Sequence, residues 1–118
     1  MIEFWHNPRC SKSRQALALL EQRGADVTVR RYLDDAPDRA EIDAARAAMG
    51  QPPVIDMMRK GEKVFRELGL STTSDDDTLL DAMVRHPILI ERPVALSKGR
   101  AVIGRPPERV LDLIGDAE

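Results

Sequence analysis

"IEFWHNPRCSKSR", residues 2–14, joins a short apolar run to the chain's single cysteine, Cys10, and then to a basic segment. Ile2, Phe4 and His6 alternate with Glu3 and Trp5, the period-two pattern of a strand with aromatic and β-branched content. Asn7-Pro8 breaks regular structure, so "NPRC" reads as a loop. Ala16, Leu17, Ala18 and Leu20 then predict a helix from about Ser11 to about Arg23, stopped by Gly24 as a C′ residue. Strand, loop and helix in that order put Cys10 at a helix N-terminus, where free backbone N–H groups and the helix dipole favour an anion. Arg9, Lys12 and Arg14 push the same way, as does His6 if protonated. The position therefore favours the thiolate, which is the nucleophilic form. The alternative is a buried structural cysteine. Such a residue normally sits on an apolar face, and this one is flanked by Pro8-Arg9 and Ser11-Lys12.

The rest of the composition limits what such a thiol can serve. A chain of 118 residues fits one domain and can bury a core without staples. With 42% hydrophobic and 32% charged residues, a soluble globular protein is expected. A net charge of −2 argues against a nucleic-acid footprint, which needs a basic excess. Of the 18 cations 14 are arginine, and their planar forks suit oxyanions. One cysteine cannot make an internal disulfide, which fits a reducing compartment. No apolar segment follows a basic start as in a secretion signal, and no apolar run is long enough to span a bilayer. A cytoplasmic, monomeric protein with no membrane partner is expected.

Further along, "DVTVRRYL" (26–33) predicts the second strand and "RAEIDAARAAMG" (39–50) a helix ending at Gly50. "PPVIDMMRKG" (52–61) predicts a short helix ending at Gly61, and "EKVFRELGL" (62–70) a helical turn ending at Gly69. Asp75, Asp76 and Asp77 precede an apolar set of Leu79, Leu80, Met83 and Val84, with Arg85 and His86 behind them. That polarity is the one a helix dipole favours, and Pro87 ends the helix. "ILIERPVALSKGRAVIG" (88–104) reads as a strand followed by a hairpin that turns at Ser97-Lys98-Gly99. "PPERVLDLIGD" predicts a last short helix, with proline at its start and Gly115 at its end. The order is β-α-β, a helical stretch, then β-β-α, with no repeat or long linker.

"CSKS" (10–13) has the spacing of a C-x-x-C redox motif with Ser13 in place of the second cysteine. The site thus lacks a resolving thiol, although Ser13 is able to donate a hydrogen bond to the thiolate. A cysteine-phosphatase loop is excluded by counting, because it requires arginine six positions after the cysteine and Ala16 stands there. Arg59, Arg92 and Arg105 each lie where an element begins or ends. Any one alone is best read as a solvated surface residue; together they are able to line one cleft.

"HNPRCSKSR" (6–14), "RKG" (59–61), "HPILIERP" (86–93) and "GRP" (104–106) resemble the ArsC family, the arsenate reductases coupled to glutathione and glutaredoxin. The resemblance runs nearly the whole length of the chain. It implies an α/β fold of the thioredoxin/glutaredoxin type, a β-α-β…β-β-α core with a mixed sheet and a helical insertion at about 37–86. It implies that Pro93 is the cis-proline that faces the cysteine in such folds. It implies Cys10 as nucleophile, with His6 favouring its thiolate, and Arg59, Arg92 and Arg105 as oxyanion-binding and transition-state residues. Thiolate attack on arsenate would give a covalent Cys10 adduct, resolved by glutathione and then glutaredoxin, with no bound cofactor or metal. The same superfamily contains Spx-type regulators that bind RNA polymerase, so a regulatory binding protein is the alternative. Those regulators usually carry the C-x-x-C that this chain lacks.

Overall fold

Strand β1 (Ile2–Trp5) is followed by helix α1 (Ser11–Gln22) and strand β2 (Val27–Arg30), and β1 pairs with β2 in parallel. Strands β3 (Val94–Ser97) and β4 (Arg100–Ile103) form an antiparallel hairpin, and β3 adds antiparallel to β1. The mixed sheet has the order β2-β1-β3-β4. The computed structural model describes residues 1–114. It divides them into two units, Met1–Asp35 together with the chain from Arg92 onward, and Ala36–Glu91. The first holds the sheet with α1; the second is the helical insertion.

In the first unit Ile2, Phe4 and Ala95 bury one face of the sheet against Ala16 and Leu20 of α1 and Val110 of a closing 3₁₀ helix, Pro107–Leu113. Phe4 and Leu20 are fully buried, and each such side chain stabilises the fold by roughly 1.5–3 kcal/mol. Gly24 ends α1 at φ +70°, the left-handed conformation its sequence position predicts. Lys98 and Gly99 link β3 to β4 at φ +52° and +76°. That is the two-residue loop whose twist matches the strands it joins.

In the second unit α2 (Arg39–Ala48) starts at a capping box: Glu41 N–H donates to Asp38 at 2.8 Å, and Asp38 N–H donates to Glu41 at 3.0 Å. Asp75 caps α4 (Asp76–Arg85) by accepting from Thr78 N–H at 2.8 Å. Arg39–Asp77 at 2.7 Å and Arg46–Asp76 at 3.1 Å tie the two helices together. A short helix α3 (Lys63–Glu67) lies between them in sequence.

Several elements differ from expectation. Strand β2 stops at Arg30, because the amides of Asp34 and Asp35 turn back onto the Arg31 carbonyl. The predicted helix at 52–61 is a 3₁₀ turn, Val54–Met57, that begins directly after Pro53. Met58 then pairs with Ile90 in an isolated bridge, and Arg59 N–H donates to Leu89 O at 2.8 Å. The predicted strand at 88–91 is a 3₁₀ turn over Pro87–Leu89. Its apolar run satisfies burial of Leu89 and Ile90 without forming a ladder, and for so short a run periodicity does not separate the two outcomes. The insertion accordingly extends to Glu91. The last helix is 3₁₀, not α, and the expected stop at Gly115 lies outside the described residues.

Gly104 is where the hairpin meets the peptide before β3. Its N–H donates to Pro93 O at 2.9 Å. A Cβ there would lie 2.7 Å from Pro93 Cγ and 3.1 Å from Val110 Cγ1. A proline ring cannot rotate aside, so Gly104→Ala is expected to destabilise by about 1–3 kcal/mol, as overpacking does. Urea unfolding of the two proteins checks this.

Candidate active site

The sheet register gathers the site. Trp5 stands opposite Arg30 on one side and Val94 on the other, and Val94 stands opposite Ile103. These four residues form a row at one end of the sheet. From that end depart His6 after β1, Arg31 after β2, Arg92-Pro93 before β3 and Gly104-Arg105 after β4. The peptides Arg92–Pro93 and Arg105–Pro106 are both cis. The Cys loop grows from the same end, so residues far apart in sequence meet there through strand pairing alone.

Asn7 shapes that loop. Its carbonyl accepts the Cys10 N–H at 3.0 Å, and its side-chain oxygen accepts the Arg9 N–H at 3.0 Å. Arg14 closes the loop by donating to Pro8 O at 2.9 Å. Sequence reasoning used Asn7-Pro8 only as a break and missed this role; the Asx-turn habit of asparagine was the available signal. Cys10 is the N-cap of α1, with extended backbone, and its carbonyl accepts the first helical bond, from Arg14 N–H at 3.0 Å. Its side chain makes no cap bond. The thiol is free and 8% exposed.

Arg105 reaches the sulfur. Its Nη2 lies 3.7 Å from Cys10 Sγ, while its Nε donates to Arg92 O at 2.9 Å. The second bond fixes the plane of the guanidinium, so the fork is held beside the thiol. Arg92 is 9% exposed. Arg59 belongs to the helical unit, where its guanidinium pairs with Glu62 at 2.8 Å.

His6 and Ser13 behave differently from expectation. His6 Nδ1 and Ser13 Oγ are 2.7 Å apart, and the Asn7 N–H also donates to Ser13 Oγ at 3.1 Å. Ser13 is fully buried and serves the loop, not the thiolate. Burial, then the positive charges of Arg31 and Arg14, hold the His6 pKa below its ordinary value. Burial and those two charges thus disfavour a cation at His6 beside Cys10. His6 fixes the loop through Ser13.

The depressed pKa sets a stability trend. As pH falls, the unfolded chain takes a proton at the ordinary histidine value of about 6.5, and the folded chain resists until lower pH. The stabilisation present above that value is thus lost progressively below it. Wild-type protein should lose stability from about pH 6.5 downward, and His6→Asn should lose less over the same interval. Urea midpoints across that interval measure the difference.

Among the described residues, no group of three His, Cys, Asp or Glu side chains is close enough to hold a metal ion. Also among them, no helix is long and apolar enough to cross a membrane.

Comparison with known proteins gives the following. The ArsC family model matches residues 5–113. A Neisseria meningitidis serogroup A protein called arsenate reductase is 46% identical over 110 residues, 92% of this chain and 94% of its own. Escherichia coli YfgD, described as uncharacterized, is 40% identical over 115 residues, 97% of each chain. The solved structure of an arsenate reductase from Vibrio cholerae superposes with a TM-score of 0.90 at 43% identity, covering 95% of this chain and 96% of that one.

Proposed function

Because the chain belongs to the ArsC family, we propose that it reduces arsenate to arsenite, with Cys10 as nucleophile and glutathione and glutaredoxin as electron donors. The Cys10 thiolate attacks arsenic(V), and one oxygen leaves as water, giving a Cys10–S–As(V) adduct. The glutathione thiol adds to arsenic and displaces a second water. A glutaredoxin thiolate then attacks the glutathione sulfur. The electron pair of that As–S bond stays on arsenic, which becomes As(III), and the two oxidised sulfurs leave as a mixed disulfide. Water releases arsenite and returns Cys10 as a thiol.

The observation that carries this reading is the Arg105 fork, 3.7 Å from the chain's single sulfhydryl and anchored on Arg92 O at 2.9 Å. A thiolate approaching an oxyanion meets repulsion, and preorganised guanidinium groups offset it. Bidentate forks also match the oxygens of a tetrahedral anion. Arg92 shares the sheet end with Arg105. Arg59 enters the proposal through the family motif "RKG" alone. The chemistry needs external thiols, so a monomeric enzyme in the reducing cytoplasm is part of the same proposal.

Arsenate-dependent oxidation of NADPH, coupled through glutathione, glutaredoxin and glutathione reductase, tests it directly. Turnover that needs both arsenate and glutaredoxin supports the proposal. A folded protein with no arsenate-dependent rate under any thiol would sink it.

A further inference from the structure

The sheet end has a second opening. On the β2 side of the Cys loop lies a cavity of about 290 Å³, with His6 and Asn7 lining it and Arg9, Arg31, Leu33 and Asp34 around them. Arg9 and Arg31 are exposed, and no carboxylate pairs with either of them among the described residues. Arg31's charge reaches the His6 ring, where it disfavours protonation. The cavity thus offers two guanidinium forks and one carboxylate, Asp34.

Its place in the fold matters as much as its charge. The sheet order β2-β1-β3-β4 puts Arg31 on one flank of the Cys loop and Arg92 and Arg105 on the other. Arg9, in the cavity, immediately precedes Cys10, and Asn7, also in the cavity, accepts the Cys10 N–H at 3.0 Å. A volume of about 290 Å³ is small for a whole drug-sized ligand. It suits one end of an extended tripeptide, which spans roughly 10 Å and so has length left to reach the thiol.

We infer that this cavity binds the γ-glutamyl end of the peptide thiol that reduces the Cys10 adduct, Arg9 and Arg31 taking its α-carboxylate and Asp34 its ammonium. The inference rests on the proposed use of glutathione. The oxyanion and the reducing thiol then approach Cys10 from opposite flanks, the first held by arginines of the β3–β4 side and the second by those of the β2 side. The forks of Arg9 and Arg31 do not compete with Arg105 for the same anion.

S-methylglutathione, which has no thiol, separates binding from chemistry. Titrated into isotope-labelled protein, it should shift the amides of Asn7, Arg9 and Leu33 saturably at millimolar concentration. Arg31→Ala should weaken that binding about tenfold, the scale of one charge-assisted contact, and Arg9→Gln should weaken it in the same direction. Both side chains are exposed, and the turn bonds at residue 31 use its backbone carbonyl, so the fold is kept. In turnover, Arg31→Ala should raise KM for glutathione about tenfold and move KM for arsenate far less. The same variant should not raise KM for 2-mercaptoethanol, which has no carboxylate. Saturable shifts confined to Val94–Ile103, equal affinity in both variants, or no saturable shift at all would overturn the inference while leaving arsenate reduction intact. Absence of turnover with every thiol would instead count against the reductase reading, and the titration would still decide the cavity.

Discussion

Cys10→Ser is expected to lower arsenate-dependent turnover about a thousandfold or more, as loss of a nucleophile does, while leaving the fold at least as stable. The two halves of this result have separate causes. The chain has one cysteine, so no second thiol can replace it. An alcohol at the same position stays protonated at neutral pH and is a poor nucleophile without a base to activate it. Stability should not fall, because Cys10 is the N-cap of α1 and its side chain makes no cap bond. Serine is among the preferred N-cap residues, and a good cap stabilises by typically ~1 kcal/mol. Turnover is read from the coupled NADPH assay and stability from the urea midpoint. An active Cys10→Ser protein would remove the nucleophile from the mechanism. A protein that is inactive because it is unfolded would instead make Cys10 a packing residue, consistent with its 8% exposure.

The parts of the fold legible in the sequence are those fixed by local rules. Gly24 and Gly69 stop their helices at positive φ, and Lys98-Gly99 turns the hairpin, because few other residues adopt those conformations. Asp75 starts α4 ahead of Asp76 and Asp77, because its carboxylate satisfies an amide that a helix leaves open. Cys10 at a helix N-terminus followed from the same kind of reading. What failed depended on neighbours distant in sequence. The run "ILI" has strand composition, but it forms no ladder, only an isolated bridge of Ile90 to Met58, more than thirty residues away, among the described residues. His6 carries a group able to be a cation, and nothing local announces that burial, Arg31 and Arg14 disfavour its protonation. Arg31 lies one residue past β2, and the parallel pairing of Trp5 with Arg30 brings it to the Cys loop. No motif marks that residue.

The register also explains why so small a sheet can hold such a site. Each strand contributes at most one or two residues beyond its end, and four strands ending in one row supply His6, Arg31, Arg92 and Arg105 around a single helix start. The core of Phe4, Leu20, Ala95 and Val110 lies directly behind that row. Rigidity at the row therefore comes from packing and strand pairing, and side chains of His6, Asn7, Ser13 and Arg14 hold the loop in shape.

Arg105→Lys is the variant that separates an oxyanion site from a reactive thiol alone. Lysine keeps the positive charge but has no planar fork, so it cannot both donate to Arg92 O and face the Cys10 sulfur as Arg105 does at 2.9 and 3.7 Å. The expected loss in kcat/KM for arsenate is about a hundredfold to a thousandfold, the scale on which removing one preorganised donor acts. The cost in stability is about 1 kcal/mol, one partly buried hydrogen bond. Alkylation of Cys10 gives the internal control. Iodoacetamide carries no charge, so its rate reports the thiol, whereas protection by arsenate reports the anion site. In wild-type protein arsenate should slow alkylation, and in Arg105→Lys that protection should largely vanish while the unprotected rate changes less. Arg92→Lys is expected to follow the same pattern. Arg59→Lys carries the family assignment without a geometric one, so its arsenate kinetics alone decide whether it belongs with the other two. Full arsenate turnover and full protection in Arg105→Lys would leave Cys10 as a reactive thiol with no guanidinium built to receive an oxyanion. The substrate would then have to be sought among neutral electrophiles.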